Sequence, residues 1–352
     1  MKIAKQTAKK ILIILLIVFG SLALLGGTVF TIGMAAAGWD FSVMNTVDYV
    51  HKEYTEKQEV TKIELDFNTN DIKVYFDETA TQVRVEYSEK YSKKGKQITQ
   101  TTITEENGTL KVEQKYKFSV NLEFALGKSS FVNVYLPKSR EYTLDIETNT
   151  GDIWLYGTAT LTSLNIETDT GAIDLGKSTI VCSGDISLST DTGNILTLTL
   201  TAENLYIEID TGNVTLNGEV TIKKNAEIET DTGDVSASTA FSVGSGLYIE
   251  TDTGDVYLGD ISGEKLTVTT DTGNIKSVGL SLLDFTTLNF STDTGDIILQ
   301  LVGTHGEYSI QAHTNTGNNN LYDYPDKSKP RTLKIYTSTG NIIGVFPQDT
   351  IN

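Results

Sequence analysis

Several residue types that mark common protein classes are scarce in this chain of 352 residues. A single cysteine, Cys182, excludes an intrachain disulfide and a cysteine-based zinc site. The net charge is −18, which argues against a nucleic acid as partner, because phosphate binding needs a basic surface. Between residues 141 and 300 there is no arginine, and the only lysines are Lys177, Lys223, Lys224, Lys265 and Lys276.

The chain contains one long hydrophobic run, at residues 11–37, and this run carries no charge. Its length predicts a transmembrane helix that acts as a signal anchor. Residues 1–10 hold four lysines, which predicts a cytoplasmic tail and an extracytoplasmic remainder on a single-pass membrane protein. The alternative is a cleaved signal peptide ending near Ala35–Ala37, although the apolar part of such peptides is usually only about 7–15 residues long.

One motif, T-D-T-G followed by a short apolar strand, dominates the rest of the sequence. Its copies follow one another at steps of 19 to 23 residues, a period typical of solenoids, whose coils bury their core against neighbouring coils. The motif glycines, numbered as position zero below, are Gly151, Gly171, Gly193, Gly212, Gly233, Gly254, Gly273, Gly295, Gly317 and Gly340.

Apolar residues recur at positions −7, −5 and +2 of nearly every copy, with polar residues at −6 and −4. This period of two predicts a strand before and a strand after each turn, with the aliphatic side chains inward. The fold class is therefore predicted to be all-β, a β-solenoid or β-helix of about 20-residue coils over residues 141–352. The last two copies are degenerate, and residues 321–332 are an insertion, as expected where a solenoid ends.

The segments between the hydrophobic run and the repeats are less regular. Residues 38–60 are predicted to be a juxtamembrane connector with a helix over 48–59. Residues 61–140 are predicted to be a β-rich N-terminal cap, since open solenoid ends expose unpaired strand edges. Within the cap, the stretch KIELDFNTNDIKVYF (62–76) is interpreted as a degenerate motif copy, with Asn70 in place of glycine.

The motif aspartates at position −2 are the candidate site residues. They are expected to accept backbone hydrogen bonds within their own turns, and the glycines to adopt positive φ. Stacked carboxylates about 4.8 Å apart would repel by about 3–4 kcal/mol at an effective dielectric near 20, so calcium bound between turns is the competing hypothesis. The predicted calcium ligands are Asp169, Asp191, Asp210, Asp231, Asp252, Asp271 and Asp293. No other cofactor is predicted.

Catalysis is not the expected function. D-T-G is also the triplet of aspartic proteases, but a catalytic dyad needs two copies in a cleft rather than seven in series. Nucleophile-elbow, Walker A, H-E-x-x-H and Rossmann signatures are absent. A carbohydrate-active β-helix hydrolase stays open as an alternative because carboxylates are abundant. Cationic peptides or polymers on the acidic face, or ligands on an aromatic face with Tyr206, Tyr248 and Tyr257, are further possibilities.

The basic start, the hydrophobic span, the stretch KIELDFNTNDIKVYF, the VNVYLPK strand and the serial ETDTGDI-type repeats resemble a bacterial domain family of unknown function, number 4097. Its members carry the label putative adhesin. The resemblance covers about residues 60–345 and implies an envelope-associated β-repeat protein, with some members linked to envelope stress. It carries over no catalytic residue. Together these observations predict a non-enzymatic binding or scaffold protein displayed on the cell surface, with a cell-wall, peptide or surface ligand.

Overall fold

The computed structural model describes residues 26–117, 130–237, 240–277 and 282–351. Residues 26–36 form a helix. The predicted tail (1–10) and the first part of the predicted spanning segment (11–25) lie outside the described residues. Within the described ranges, no helix is both long and apolar enough to cross a bilayer. The anchor and the proposed domain boundaries stay predictions.

The chain divides into two compact units. The first holds the helix 26–36, a 3-10 helix (Phe41–Met44) and a hairpin turn in which the Ile98 N–H donates to the Lys90 carbonyl at 2.8 Å. The second unit contains the repeats, and two further 3-10 helices, His305–Glu307 and Pro347–Ile351. Of the described residues, the first unit comprises 26–50 and 90–98, and the second comprises 51–89, 99–117, 130–237, 240–277 and 282–351.

Strands make up most of the described structure. The first fourteen are β1 (Val47–Thr55), β2 (Lys62–Phe67), β3 (Asp71–Asp77), β4 (Arg84–Ser92), β5 (Thr99–Glu106), β6 (Thr109–Tyr116), β7 (Phe131–Pro137), β8 (Tyr142–Thr150), β9 (Ile153–Thr170), β10 (Ile173–Cys182), β11 (Ile186–Thr192), β12 (Ile195–Ala202), β13 (Leu205–Thr211) and β14 (Val214–Leu216). The others are β15 (Val220–Ile222), β16 (Asn225–Thr232), β17 (Val235–Ala237), β18 (Phe241–Val243), β19 (Gly246–Thr253), β20 (Val256–Leu258), β21 (Ile261–Ser262), β22 (Lys265–Thr272), β23 (Ile275–Ser277), β24 (Leu282–Leu283), β25 (Thr287–Thr294), β26 (Ile297–Gln300), β27 (Tyr308–Thr316), β28 (Arg331–Thr339) and β29 (Ile342–Val345).

The predicted solenoid is confirmed. Strands that precede the motif glycines pair in parallel from coil to coil, and so do the strands that follow them. We call the first set the motif sheet; in spatial order it consists of β6, β2, β8, β9, β11, β13, β16, β19, β22, β25, β28 and β27. Positions −6, −4 and −2 point outward and form the outer face of this sheet, because side chains alternate along a strand.

The three inward rows are also confirmed. Every residue at −7 and −5, from Leu144 and Ile146 to Leu333 and Ile335, is buried. At +2 the exception is Asn319, in the coil whose second strand is interrupted. Each inward side chain therefore packs on equivalent residues of the coils on both sides, which is how a narrow coil of about 20 residues obtains a continuous core.

The order of the coils departs from the order of the sequence at both ends. Strand β28 lies between β25 and β27, so the last coil of the chain is inserted beneath the coil that precedes it. At the other end, β2 lies between β6 and β8. There, β5 pairs antiparallel with β6, and β4 with β7, which covers the parallel edges.

Two local expectations have definite outcomes. Residues 62–76 do form a motif-like coil around Asn70, because β2 and β3 pair in register with β8 and β9. The helix predicted over 48–59 is wrong, since β1 (Val47–Thr55) is a strand. Five of its nine residues are β-branched or aromatic, and these favour extended backbone.

Candidate functional site

The motif threonine at −3 is a structural residue. Its side chain points inward, and its hydroxyl donates to the carbonyl oxygen of the motif glycine in the neighbouring coil. Thr190 donates to Gly171 at 3.0 Å and Thr292 to Gly273 at 3.0 Å, and both threonines are at most 1% exposed. Each hydroxyl thus satisfies a half-buried carbonyl that the turn leaves outside the strand ladder.

The motif glycine is required by close approach of two coils. A Cβ atom on Gly193 would overlap the carbonyl group of Gly171, and the same holds along the row. The expected positive φ occurs at several copies, such as Gly151, but the overlap applies to all of them. Stacked turns at strand spacing therefore have no room for a side chain here.

The turn hydrogen bonds come from position +1, not from the aspartate at −2. Asn194 Oδ1 accepts the backbone N–H of Asn213 at 2.8 Å, and Asn213 Oδ1 accepts that of Asp234 at 2.8 Å. The same bond joins Asp234 to Asp255 and continues along the row. This Asn/Asp row connects successive coils, whereas the expectation had been a bond within each turn.

All seven aspartates proposed as calcium ligands are exposed on the outer face of the motif sheet, near the ends of their strands. Within the described ranges, none of their carboxylates accepts a hydrogen bond or forms an ion pair. The expectation that these carboxylates are satisfied by their own turns is therefore wrong. In that same part of the chain, no group of three or more His, Cys, Asp or Glu side chains could hold a metal ion. The calcium row stays a prediction.

A second acidic row runs along position −4 of the same outer face. Backbone register aligns Glu113, Asp66, Glu147 and Glu167, then, after Ser189, Glu208, Glu229 and Glu250. Partial burial raises the pKa of Glu229, and the neighbouring carboxylates Glu227, Glu250 and Glu208 raise it further. The pKa of Glu147 is raised in the same way, first by burial and then by Asp66 and other neighbouring acids. This part of the face therefore attracts cations.

The outer face changes character beyond Glu250. Positions −6 and −4 of β22, β25, β28 and β27 carry no carboxylate, and here the surface forms an open groove of about 720 Å³. The segment containing Asp323 and Pro325 forms one wall. Sequence reasoning missed this groove, because its floor includes β28, which lies out of chain order.

The structure also shows where the tyrosines and the cysteine named from the sequence lie. Tyr206 and Tyr248 share the −6 row, but Tyr257 lies on β20 in a different sheet row, so the three do not form one aromatic face. Cys182 is buried, and burial raises the pKa of its thiol, as suits a core residue. Two histidines of the late coils, not considered above, contact different residues: His313 Nε2 lies 2.9 Å from Asn315 Oδ1, and His305 contacts the Phe346 ring.

An aromatic row not foreseen from the sequence crosses the early coils. Tyr75 lies between Tyr135 and Tyr156, with ring centroids 5.1 and 4.9 Å away and nearly parallel planes. The Arg84 guanidinium lies 3.9 Å above the Tyr135 ring. Because the rings face one another, this row serves coil-to-coil packing.

Parallel coils with an inward aliphatic core, a glycine contact row and an Asn/Asp row are now established for this chain. A model of the family described as Toastrack DUF4097 matches residues 60–342. The chain belongs to this family. The match runs from just before β2 to the first residue of β29, so it covers nearly all of the solenoid.

Solved structures of low sequence identity accompany the Toastrack match. A putative adhesin from Bacteroides fragilis is 14% identical, with 66% of this chain and 97% of that chain covered and a TM-score of 0.42. A putative adhesin from Parabacteroides distasonis is 13% identical, with 85% and 97% covered and a TM-score of 0.42. A putative lipid binding protein from the same species is 13% identical, with 85% and 97% covered and a TM-score of 0.37. Sequence identities and TM-scores this low do not indicate a function. No curated protein matches the chain.

Proposed function

We propose that this Toastrack protein is a membrane-anchored, non-enzymatic binding module displayed on the surface of a bacterial cell. The observation that supports this most directly is the outer face of the motif sheet. Parallel pairing in register places like side chains side by side over many coils, as in the run Glu208, Glu229 and Glu250. A long, rigid and regular surface suits the binding of an extended ligand.

The anchor in this proposal rests on the sequence. Residues 11–37 are uncharged and follow a lysine-rich start, the pattern of a segment whose N-terminal flank stays in the cytoplasm. The solenoid would then lie outside the cell. A single buried cysteine suits both sides of the membrane, so it does not bear on the placement.

We propose a non-enzymatic role because the acidic residues of the motif all have the same position and surroundings. The seven D-T-G aspartates share one position of the coil and one exposed environment. General acid and base catalysis instead needs carboxylates whose surroundings differ, so that one holds a proton that the other lacks. A calcium-stabilised rod remains the second candidate, favoured by the unpaired state of these aspartates.

Surface labelling tests the placement. Cys182 is 1% exposed, so in Cys182→Ala a newly introduced cysteine is the only reactive thiol. On this background, Tyr322→Cys, at a position 81% exposed, should react with an impermeant maleimide in intact cells. Gln6→Cys, in the lysine-rich start, should react only after permeabilisation. Labelling of Gln6→Cys in intact cells, or recovery of the whole chain without membranes, would contradict the anchored topology.

A further inference from the structure

The groove on the outer face is distinguished by its free positive charge. Four of the five lysines between residues 141 and 300 have partners: Lys177 lies over the Tyr156 ring, Lys223 and Lys224 lie near Glu203, and Lys276 lies near Asp255. The fifth, Lys265, lines the groove together with Lys334. Neither of these two forms an ion pair or hydrogen bond through its ammonium group within the described residues.

Two lysine ammonium groups without an ion pair therefore share the groove with one carboxylate, that of Asp323, whose Oδ1 accepts the backbone N–H of Ala312 at 2.8 Å. Lys265 and Lys334 lie on β22 and β28, with only β25 between them. Lys265 is level with Thr332, two residues before Lys334, so the two backbones are about 10 Å apart across the sheet and offset by about 7 Å along the strands. Both side chains are long enough to reach one anionic group or two successive groups. The nearest motif aspartate on β22, Asp271, lies six residues from Lys265, about 20 Å along the strand and beyond the screening length of about 8 Å.

An aromatic ring projects beside this charge. Tyr336 stacks on His313 on one side, with ring centroids 6.2 Å apart and an interplanar angle of 18°. Its hydroxyl lies 2.9 Å from Ser338 Oγ, which fixes the ring along the strand. On the other side the register partner is the small residue Ser291, so the second ring face is turned toward the groove. Such a face suits contact with the C–H groups of a sugar ring.

Uncharged polar groups complete the lining. Asn289 donates one N–H to Thr267 Oγ1 at 3.3 Å and retains its second N–H and its carbonyl oxygen for a ligand. Gln311 lies beside Lys334 in the register and also lines the groove. Binding sites with a few convergent polar groups and an aromatic wall recognise ligands rich in hydroxyl groups.

We propose that this groove binds a glycan segment that carries anionic substituents. A sugar ring would pack on Tyr336, its hydroxyl groups would bond to Asn289 and Gln311, and a carboxylate or phosphate group would lie between Lys265 and Lys334. This inference rests on the proposed binding function and names the class of ligand. It also divides the outer face into an acidic part and a separate ligand groove.

The test is calorimetric titration of the full-length chain, purified in detergent, with three probes. These are an oligogalacturonate, an oligo(glycerol phosphate) and the neutral maltoheptaose. We expect at least one anionic probe to bind at least about tenfold more tightly than maltoheptaose, with affinity that falls as salt increases. The stronger of the two anionic probes identifies the anionic group. Equal binding of neutral and anionic probes, or no binding of either anionic probe at millimolar concentration, would overturn the proposal.

Variants locate the binding. The double change Lys265→Gln and Lys334→Gln should weaken the anionic probe at least about tenfold, since charged hydrogen bonds are lost. Tyr336→Ala should weaken anionic and neutral probes alike. The double change Lys223→Gln and Lys224→Gln, which removes the same two charges at positions 55% and 59% exposed, is the matched control and should bind like the native chain. Unchanged affinity in the double variant, with an unchanged unfolding midpoint, would overturn the assignment.

The outcomes remain distinct from those of the proposed function. Surface labelling reports placement without any glycan, and titration reports the groove without any membrane topology. If labelling supports display but no anionic probe binds, the groove proposal fails and the display proposal stands. If the probe binds but the chain is not displayed, the reverse holds.

Discussion

Gly295 donates its backbone N–H to the carbonyl oxygen of Thr339, 2.9 Å away, and so bypasses the motif copy that follows it in the sequence. That copy, centred on Gly317, instead pairs with the far side of the inserted coil, where the Gly340 N–H donates to the Thr316 carbonyl at 2.9 Å. The coil that contains β28 is therefore an internal layer, although it follows β27 in the sequence. Completion of this end of the solenoid depends on residues 331–345.

A chain that ends at Pro330 should lose much of the stability of this end. Without β28, the inward residues Phe290 and Ala312 lose their common neighbour Ile335. We expect a lower unfolding midpoint and binding of a hydrophobic dye. A peptide of residues 331–346 should restore the midpoint, because it binds only the folded chain, whereas a scrambled peptide should not. A midpoint equal to that of the full chain would show that the inserted coil contributes nothing.

The buried threonine row can be tested by an isosteric change. Thr190→Val removes the hydroxyl that donates to Gly171 and leaves that carbonyl without its partner. We expect a loss of about 1–3 kcal/mol in the free energy of unfolding, the usual cost of a buried unsatisfied group. The control Thr192→Val, at the exposed position −1, should change stability by at most about 0.5 kcal/mol. Equal effects from the two changes would argue against a structural hydroxyl row.

The glycine contact row predicts a larger effect. Gly193→Ala would place a methyl group on the Gly171 carbonyl, and backbone atoms cannot move aside without separating two coils. We expect at least about 3 kcal/mol of destabilisation, measured by denaturant unfolding. Gly246→Ala is the control, since its added Cβ would meet no atom closer than 3.5 Å. Tolerance of alanine at position 193 would mean that the coils are not stacked as closely as described.

These features differ in how far the sequence could reveal them. The inward rows were predictable because the alternation of apolar and polar residues and the repeat length depend only on one coil and its neighbours. The sequence led us to expect turn hydrogen bonds from the residue at −2, but they are made by the residue at +1, because Asp and Asn suit turns at either position. Only the coil geometry shows that Asn213 accepts a backbone hydrogen bond from the next coil whereas Asp210 faces solvent. The coil order was not predictable, since all copies carry nearly the same pairing surface. The groove depends on that order and was missed with it.

The hypothesis that calcium binds along the exposed −2 row can be tested by thermal unfolding. If ions bridge the −2 row, millimolar calcium should raise the unfolding midpoint of chelator-stripped protein, since a ligand of the native state stabilises it. The triple variant Asp191→Asn, Asp210→Asn and Asp231→Asn should then lose most of the rise. The exposed change Glu219→Gln, which lies outside the −2 row, should keep the rise. The calcium hypothesis would be contradicted if calcium caused no rise and the triple variant were at least as stable as the native chain. These carboxylates would then only repel one another.

The acidic −4 row predicts a definite dependence of stability on pH. Burial and neighbouring carboxylates raise the pKa of Glu229 in the folded state, so folding favours its protonated form. Its favourable contribution is complete below the unfolded pKa of about 4.3 and is lost as the pH rises through the folded pKa. At pH 7, Glu229→Gln should therefore be more stable than the native chain, by less than about 1 kcal/mol because water still reaches the group. This gain should shrink toward pH 4, and Glu219→Gln, at an exposed position outside the −4 row, is the reference variant. Thermal unfolding of the three chains between pH 4 and pH 8 measures the difference, and a gain that grows as the pH falls would contradict the raised pKa.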